Sequence, residues 1–199
     1  EDDLPLVVQD RIFVNDGNLV YAPRGPSLMH GYRGDEILVN GAIRPESSVP
    51  MGLVRLRILN GSNARIYHFV FEDVRQFAQV ASDGGLLPAP VGMNTLMLAP
   101  AERAEIVVDF SDGAPVRLLS GPDDNSPMAG MMGSMGQMSG MMASPDSDAN
   151  GAFVIMRFSV NRSLAGKVTT LANSLAGAPM PDFGEPVRRR RFELNMMGG

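Results

Sequence analysis

With 199 residues and 44% apolar side chains, the sequence has enough material for one full-sized hydrophobic core, and wholesale disorder is excluded. A formal net charge of -5 gives no general attraction to phosphate backbones, so a nucleic-acid partner is not expected. The absence of cysteine excludes a disulfide scaffold, a thiolate nucleophile and any blue-copper, iron–sulfur or cysteine-based zinc site within this chain.

In chain order, residues 4–14 form an apolar run interrupted by Gln9, Asp10 and Arg11, and Asn15-Asp16-Gly17-Asn18 marks a tight turn that returns through Leu19, Val20 and Tyr21. Prolines 23 and 26 and glycines 25, 31 and 34 predict a long irregular connection. Residues 36–40 read as a strand closed by Asn40-Gly41. Val54, Leu56 and Ile58 alternate with Arg55 and Arg57, the two-residue period of a half-buried strand. Tyr67, Phe69 and Phe71 share one face of the next strand and Ile66, His68 and Val70 the other, so both faces are expected to be covered.

Further strands are predicted at 77–81, 96–98, 104–110, 116–119 and 153–160, each bounded by turn residues. About ten short strands without a sustained amphipathic helix indicate an antiparallel β-sandwich or barrel. One domain is expected over 1–162. Residues 163–187, rich in Ala, Ser, Gly and Pro, read as a linker crossing its surface, and Phe192, Leu194 and Met196 in 188–199 read as the start of a strand of a following domain. No apolar run is long enough to span a bilayer, and the acidic start is the reverse of a secretion signal, which would have to lie upstream.

Residues 127–143 form a methionine-rich insertion between two strands. Met128, Met131, Met132, Met135, Met138, Met141 and Met142 are spaced by Gly130, Gly133, Gly136 and Gly140. Thioether sulfur is a soft donor suited to cuprous ion, and spacings of three and four residues let several sulfurs converge. Methionines at such spacing also trace one helix face, and a glycine-rich stretch also reads as a flexible low-complexity loop, so metal recruitment and a plain loop both stand. Four glycines argue against a stable helix, and residues 128–142 are expected to be the least ordered part of the chain.

The remaining chemistry is sparse. His30 reads as a surface loop residue and His68 as a buried, hydrogen-bonded core residue, and neither makes a type-2 or type-3 copper centre or a catalytic zinc site, which needs three or more imidazole or carboxylate ligands. A serine hydrolase lacks its Gly-x-Ser-x-Gly elbow, and no phosphate-cradling glycine motif stands between a strand and a helix. Arg188 to Arg191 read as a solvated edge in an acidic chain. Arg33-Gly34-Asp35 spells an adhesion tripeptide, a three-letter match expected often by chance, and Asn60-Gly61-Ser62 and Asn161-Arg162-Ser163 fit the glycosylation sequon, which matters only in a eukaryotic secretory route.

Five blocks in one order carry a family resemblance: residues 3–10 (DLPLVVQD), 34–41 (GDEILVNG), 53–65 (LVRLRILNGSNAR), 81–88 (ASDGGLLP) and 98–105 (LAPAERAE). Together they resemble the middle cupredoxin-like domain of three-domain bacterial multicopper oxidases, similar to copper-efflux (cuprous) oxidases and laccase-like enzymes. The resemblance implies an all-β, cupredoxin-like Greek-key sandwich, a periplasmic location, and flanking cupredoxin domains as partners before and after this one. It implies copper in the parent protein, held by His-x-His pairs and a blue-copper cysteine of the first and third domains. This sequence has neither motif, so none of those ligands carries over, and the isolated chain is expected to have no oxidase activity.

Copper-efflux members carry methionine-rich segments, one of them at a place similar to residues 128–142. The resemblance makes these seven methionines, and Met196 near the chain end, candidate ligands for labile Cu(I). The same blocks also resemble a copper-free relative that supports cell division in the periplasm, and a stand-alone Cu(I)-binding module is a further alternative. Surfaces that would meet the flanking domains leave self-association of the isolated chain open.

Overall fold

The computed structural model describes residues 2–14, 16–21, 31–121, 152–176 and 181–192. Among them are thirteen strands and no helix. In order these are β1 (Asp3–Phe13), β2 (Leu19–Val20), β3 (Glu36–Val39), β4 (Ala42–Ile43), β5 (Glu46–Met51), β6 (Leu53–Asn60), β7 (Tyr67–Phe71), β8 (Phe77–Ser82), β9 (Gly85–Met93), β10 (Thr95–Leu98), β11 (Arg103–Asp109), β12 (Val116–Ser120) and β13 (Phe153–Ala165). No helix of the described residues is long and apolar enough to cross a membrane.

Two sheets face each other. The first runs β4-β3-β1-β6-β11-β8-β9 with β2 beside β1, and the second runs β10-β7-β12-β13-β5. The two-residue period accounts for the shared core. In β6, Val54, Leu56 and Ile58 are buried while Arg55 and Arg57 point outwards to pair with Glu105 and Asp3. β11 repeats the pattern with Ala104, Ile106 and Val108. Against them the second sheet presents Tyr67, Phe69, Phe71, Leu118 and Phe158. Phe71 bridges the layers, with ring centroids 5.9 Å from Phe77, 6.4 Å from Phe110 and 6.2 Å from Phe158. Edge-to-face and tilted pairs of this kind add about 0.5–1.5 kcal/mol each beyond their buried area.

The sandwich is mixed rather than antiparallel throughout. β1 lies parallel to β6, with Leu4 opposite Leu56 and Leu6 opposite Ile58, and β13 lies parallel to β5. Alternation is blind to strand direction, so only the pairing reveals it. β4, β5 and β9 had no clear sequence signal. β9 carries Pro88 and Pro90, which normally argue against a strand, but it is the outer strand of its sheet, where a missing N–H costs no ladder bond. Asn40-Gly41 makes the expected reversal between β3 and β4, both residues at positive φ. The Asn40 side chain then extends the ladder of β1 by accepting from Val7 N–H and donating to the Pro5 carbonyl.

β13 reaches Ala165, beyond the expected end of the strand at 160. There the chain meets the corner between β5 and β6: Gly166 N–H donates to the Met51 carbonyl and Leu53 N–H to the Val168 carbonyl. Residues 167–176 continue across the surface to the outer strand of the first sheet, where Leu175 N–H donates to the Pro88 carbonyl. Residues 181–192 are in no strand, and Phe183, Val187 and Phe192 are exposed.

Candidate functional site

The methionine-rich insertion leaves the fold after β12 and returns at β13, and its two roots are register partners: Ser120 lies opposite Phe153. Met128, Met131, Met132, Met135, Met138, Met141 and Met142 lie outside the described residues, as do Met196 and His30. What the fold supplies is the anchorage. Phe153 sits with its ring centroid 6.4 Å from that of Tyr67 and 5.2 Å from the Arg65 guanidinium, which stands over its face.

Arg65 belongs to a buried polar network that ties this end of the sandwich together. Its Nε donates at 3.0 Å to Oδ2 of Asp10, a residue with no exposed surface, and another guanidinium nitrogen donates to the Gly34 carbonyl at 2.6 Å. Gly34 N–H donates to the same Asp10 oxygen at 2.7 Å. The Asp10 backbone N–H donates to Ser62 Oγ, which is 2.8 Å from the Tyr67 hydroxyl. Asn60, also fully buried, accepts from Ser62 N–H and donates to the Arg65 and Leu98 carbonyls. Burial pushes the Tyr67 phenol well above its ordinary range. Such a network fixes side chains by mutual hydrogen bonding, which gives it a positioning role.

The structure bears on three readings of the sequence. Asn60 is enclosed and committed by both ends of its amide, so the sequon at 60–62 is not available to a glycosyltransferase. Gly34 is buried, and a Cβ there would lie 2.3 Å from Arg11 N, so the middle residue of Arg33-Gly34-Asp35 is packed against β1, while Arg33 is half-buried and Asp35 exposed. His68 is half-buried, not a core residue. Its neighbours Tyr67 and Phe69 point into the core, so its own side chain points to the outer face of the second sheet, which no other layer covers among the described residues. The alternation of β7 was legible, but nothing local told which of its faces a second sheet would cover.

Among the described residues, no group of three or more His, Asp or Glu side chains could hold a metal ion. With two histidines and no cysteine in the whole sequence, the chain does not fit a blue-copper or trinuclear copper centre. On the outer face of the second sheet, His68 lies opposite Met97 of β10.

No family model matches the chain. In sequence it is 47% identical over 120 residues to the cell division protein FtsP of Pectobacterium atrosepticum, covering 60% of this chain and 25% of that protein. It is 36% identical over 178 residues to the laccase of Bacillus subtilis, covering 84% of this chain and 31% of the laccase. Among solved structures it resembles a laccase-like multi-copper oxidase, CueO, from Ochrobactrum sp., with 41% identity and a TM-score of 0.73 over 92% of this chain and 36% of that one. The chain thus spans about a quarter to a third of the length of these relatives.

Proposed function

This chain is a cupredoxin-like domain of the multicopper oxidase type, and on that premise we propose that it is the structural middle domain of a periplasmic oxidase. The parent would take electrons from cuprous ion or from phenolic and other small reductants, and reduce dioxygen to water. Its redox copper would be held by the flanking cupredoxin domains, because this chain has no ligand set for it. The domain would hold those partners in register, residues 188–199 leading into the next one. Exposed Phe183, Val187 and Phe192 are side chains of the kind a partner covers.

The observation that carries the oxidase reading is the reach of the likeness: similarity to the laccase extends over more of the chain than similarity to the cell-division proteins does. The seven methionines of 127–143 add a copper-recruiting role. The strands on either side of that segment, β12 and β13, are antiparallel neighbours, with Ser120 opposite Phe153. A titration with Cu(I) against a competing chelator tests this role: copper uptake should fall when all seven become serine, and undiminished uptake would refute it.

A second reading, the middle domain of a copper-free periplasmic cell-division scaffold, is favoured by the higher identity to FtsP. The coding sequence on either side separates the two. His-x-His and His-Cys-His motifs there support the oxidase, and their absence supports the scaffold.

A further inference from the structure

Met97, His68 and Gly121 form one row across three strands on the outer face of the second sheet. Met97 is the register partner of His68. On the other side, Gly121 N–H donates to the His68 carbonyl at 2.9 Å, and His68 N–H donates to Ser120 Oγ at 3.0 Å. Both backbone groups of His68 therefore face β12, which makes its pairing with Met97 the non-hydrogen-bonded kind. In such pairs the Cα atoms are about 4.5 Å apart and the side chains approach most closely.

Leu96 and Leu98 on β10, like Tyr67 and Phe69 on β7, point into the core. Met97 and His68 consequently share the solvent face. Met97 is 61% exposed, so its thioether is accessible from solvent. Among the described residues, the hydrogen bonds of His68 are those of its backbone. Gly121 contributes no side chain to the row; a Cβ there would lie 3.6 Å from His68 Cβ.

We propose that His68 and Met97 form a two-donor site for a soft monovalent cation, Cu(I). One imidazole nitrogen and one thioether suit an ion that accepts few ligands and prefers soft ones, while zinc would need a fuller, tetrahedral set. With only two donors, the site binds weakly and releases readily. The proposal rests on the copper-handling reading of the chain but uses none of the insertion's methionines.

The test uses the 199-residue chain with Met128, Met131, Met132, Met135, Met138, Met141 and Met142 all replaced by serine. Titration with Cu(I) against a competing chelator, followed by NMR of the His68 ring and the Met97 methyl, should show one equivalent moving both signals. Met97→Leu, which keeps the side-chain volume, should weaken binding about tenfold, and His68→Gln should abolish it. Signals that do not move, or an affinity indifferent to both substitutions, would overturn the site. In the converse protein, with the insertion intact and His68→Gln and Met97→Leu combined, copper that is retained and then lost when the seven insertion methionines become serine belongs to the insertion, so failure of either site is read separately.

Discussion

Asp10 and Arg65 form the ion pair on which one end of the sandwich depends: the carboxylate has no exposed surface, and the guanidinium that reaches it at 3.0 Å also covers Phe153, where the chain returns from the methionine-rich insertion. Removing one partner of a buried pair strands the other. Asp10→Ala should lower unfolding free energy by about 3–5 kcal/mol in chemical denaturation, because Arg65 and Gly34 N–H both lose their acceptor. A loss below about 1 kcal/mol would mean that water replaces the carboxylate and that the pair holds nothing.

Gly34 should tolerate no side chain. Its hypothetical Cβ falls 2.3 Å from Arg11 N and 2.4 Å from Arg11 C, which are strand backbone and cannot rotate away. Gly34→Ala is expected to cost about 3 kcal/mol or more, in the range of severe overpacking. Gly84→Ala, with nothing within 4 Å of the new atom, should cost far less. Equal melting temperatures for the two variants would contradict the packing described.

Val74 is strained without compensation. It is β-branched, 59% exposed and held at φ 58° in the turn between β7 and β8. The left-handed conformation costs an L-residue about 1–2 kcal/mol, and less for asparagine. Val74→Asn should therefore stabilise the chain by about 1 kcal/mol, read as a higher denaturation midpoint at unchanged slope; a lower midpoint would show that the valine packs against something that repays the strain.

Stability should fall at both ends of the pH scale. The Tyr67 phenol is raised from its ordinary value of 10.0 by burial, so the unfolded chain releases that proton first. Its contribution is fully present below pH 10 and is lost as pH rises beyond it. Tyr67→Phe should flatten that alkaline slope, and an unaltered slope would remove Tyr67 as its source. At the acid end, Arg117 holds the Glu72 carboxyl below 4.5, and Ser111 holds that of Asp109 below 3.8. Their stabilisation is present above those values and disappears as pH falls through the lower folded ones. Glu72→Gln should reduce the acid slope.

How far the fold was legible depended on the strand. β6 and β11, with charged residues alternating against Val, Leu and Ile, could be read directly, because a half-buried strand writes its two environments into its own sequence. β9 could not, since its prolines are tolerated by an outer-strand position that only pairing defines. Asp10 and Asn60 looked like ordinary polar residues in a strand and at a strand end. Their partners lie at Arg65 and Leu98, tens of residues away, and no local signal marks such a pair.

The sequence by itself determined an all-β chain with one apolar core, a thioether-rich insertion and no residues for a redox copper centre, because composition and two-residue alternation are local properties. Only the tertiary structure decided that β1 and β6 run parallel, that Gly34 is enclosed, and that His68 turns outward beside Met97. Those outcomes follow from which strands become neighbours and which face a second sheet covers. Both are set by pairing between distant segments.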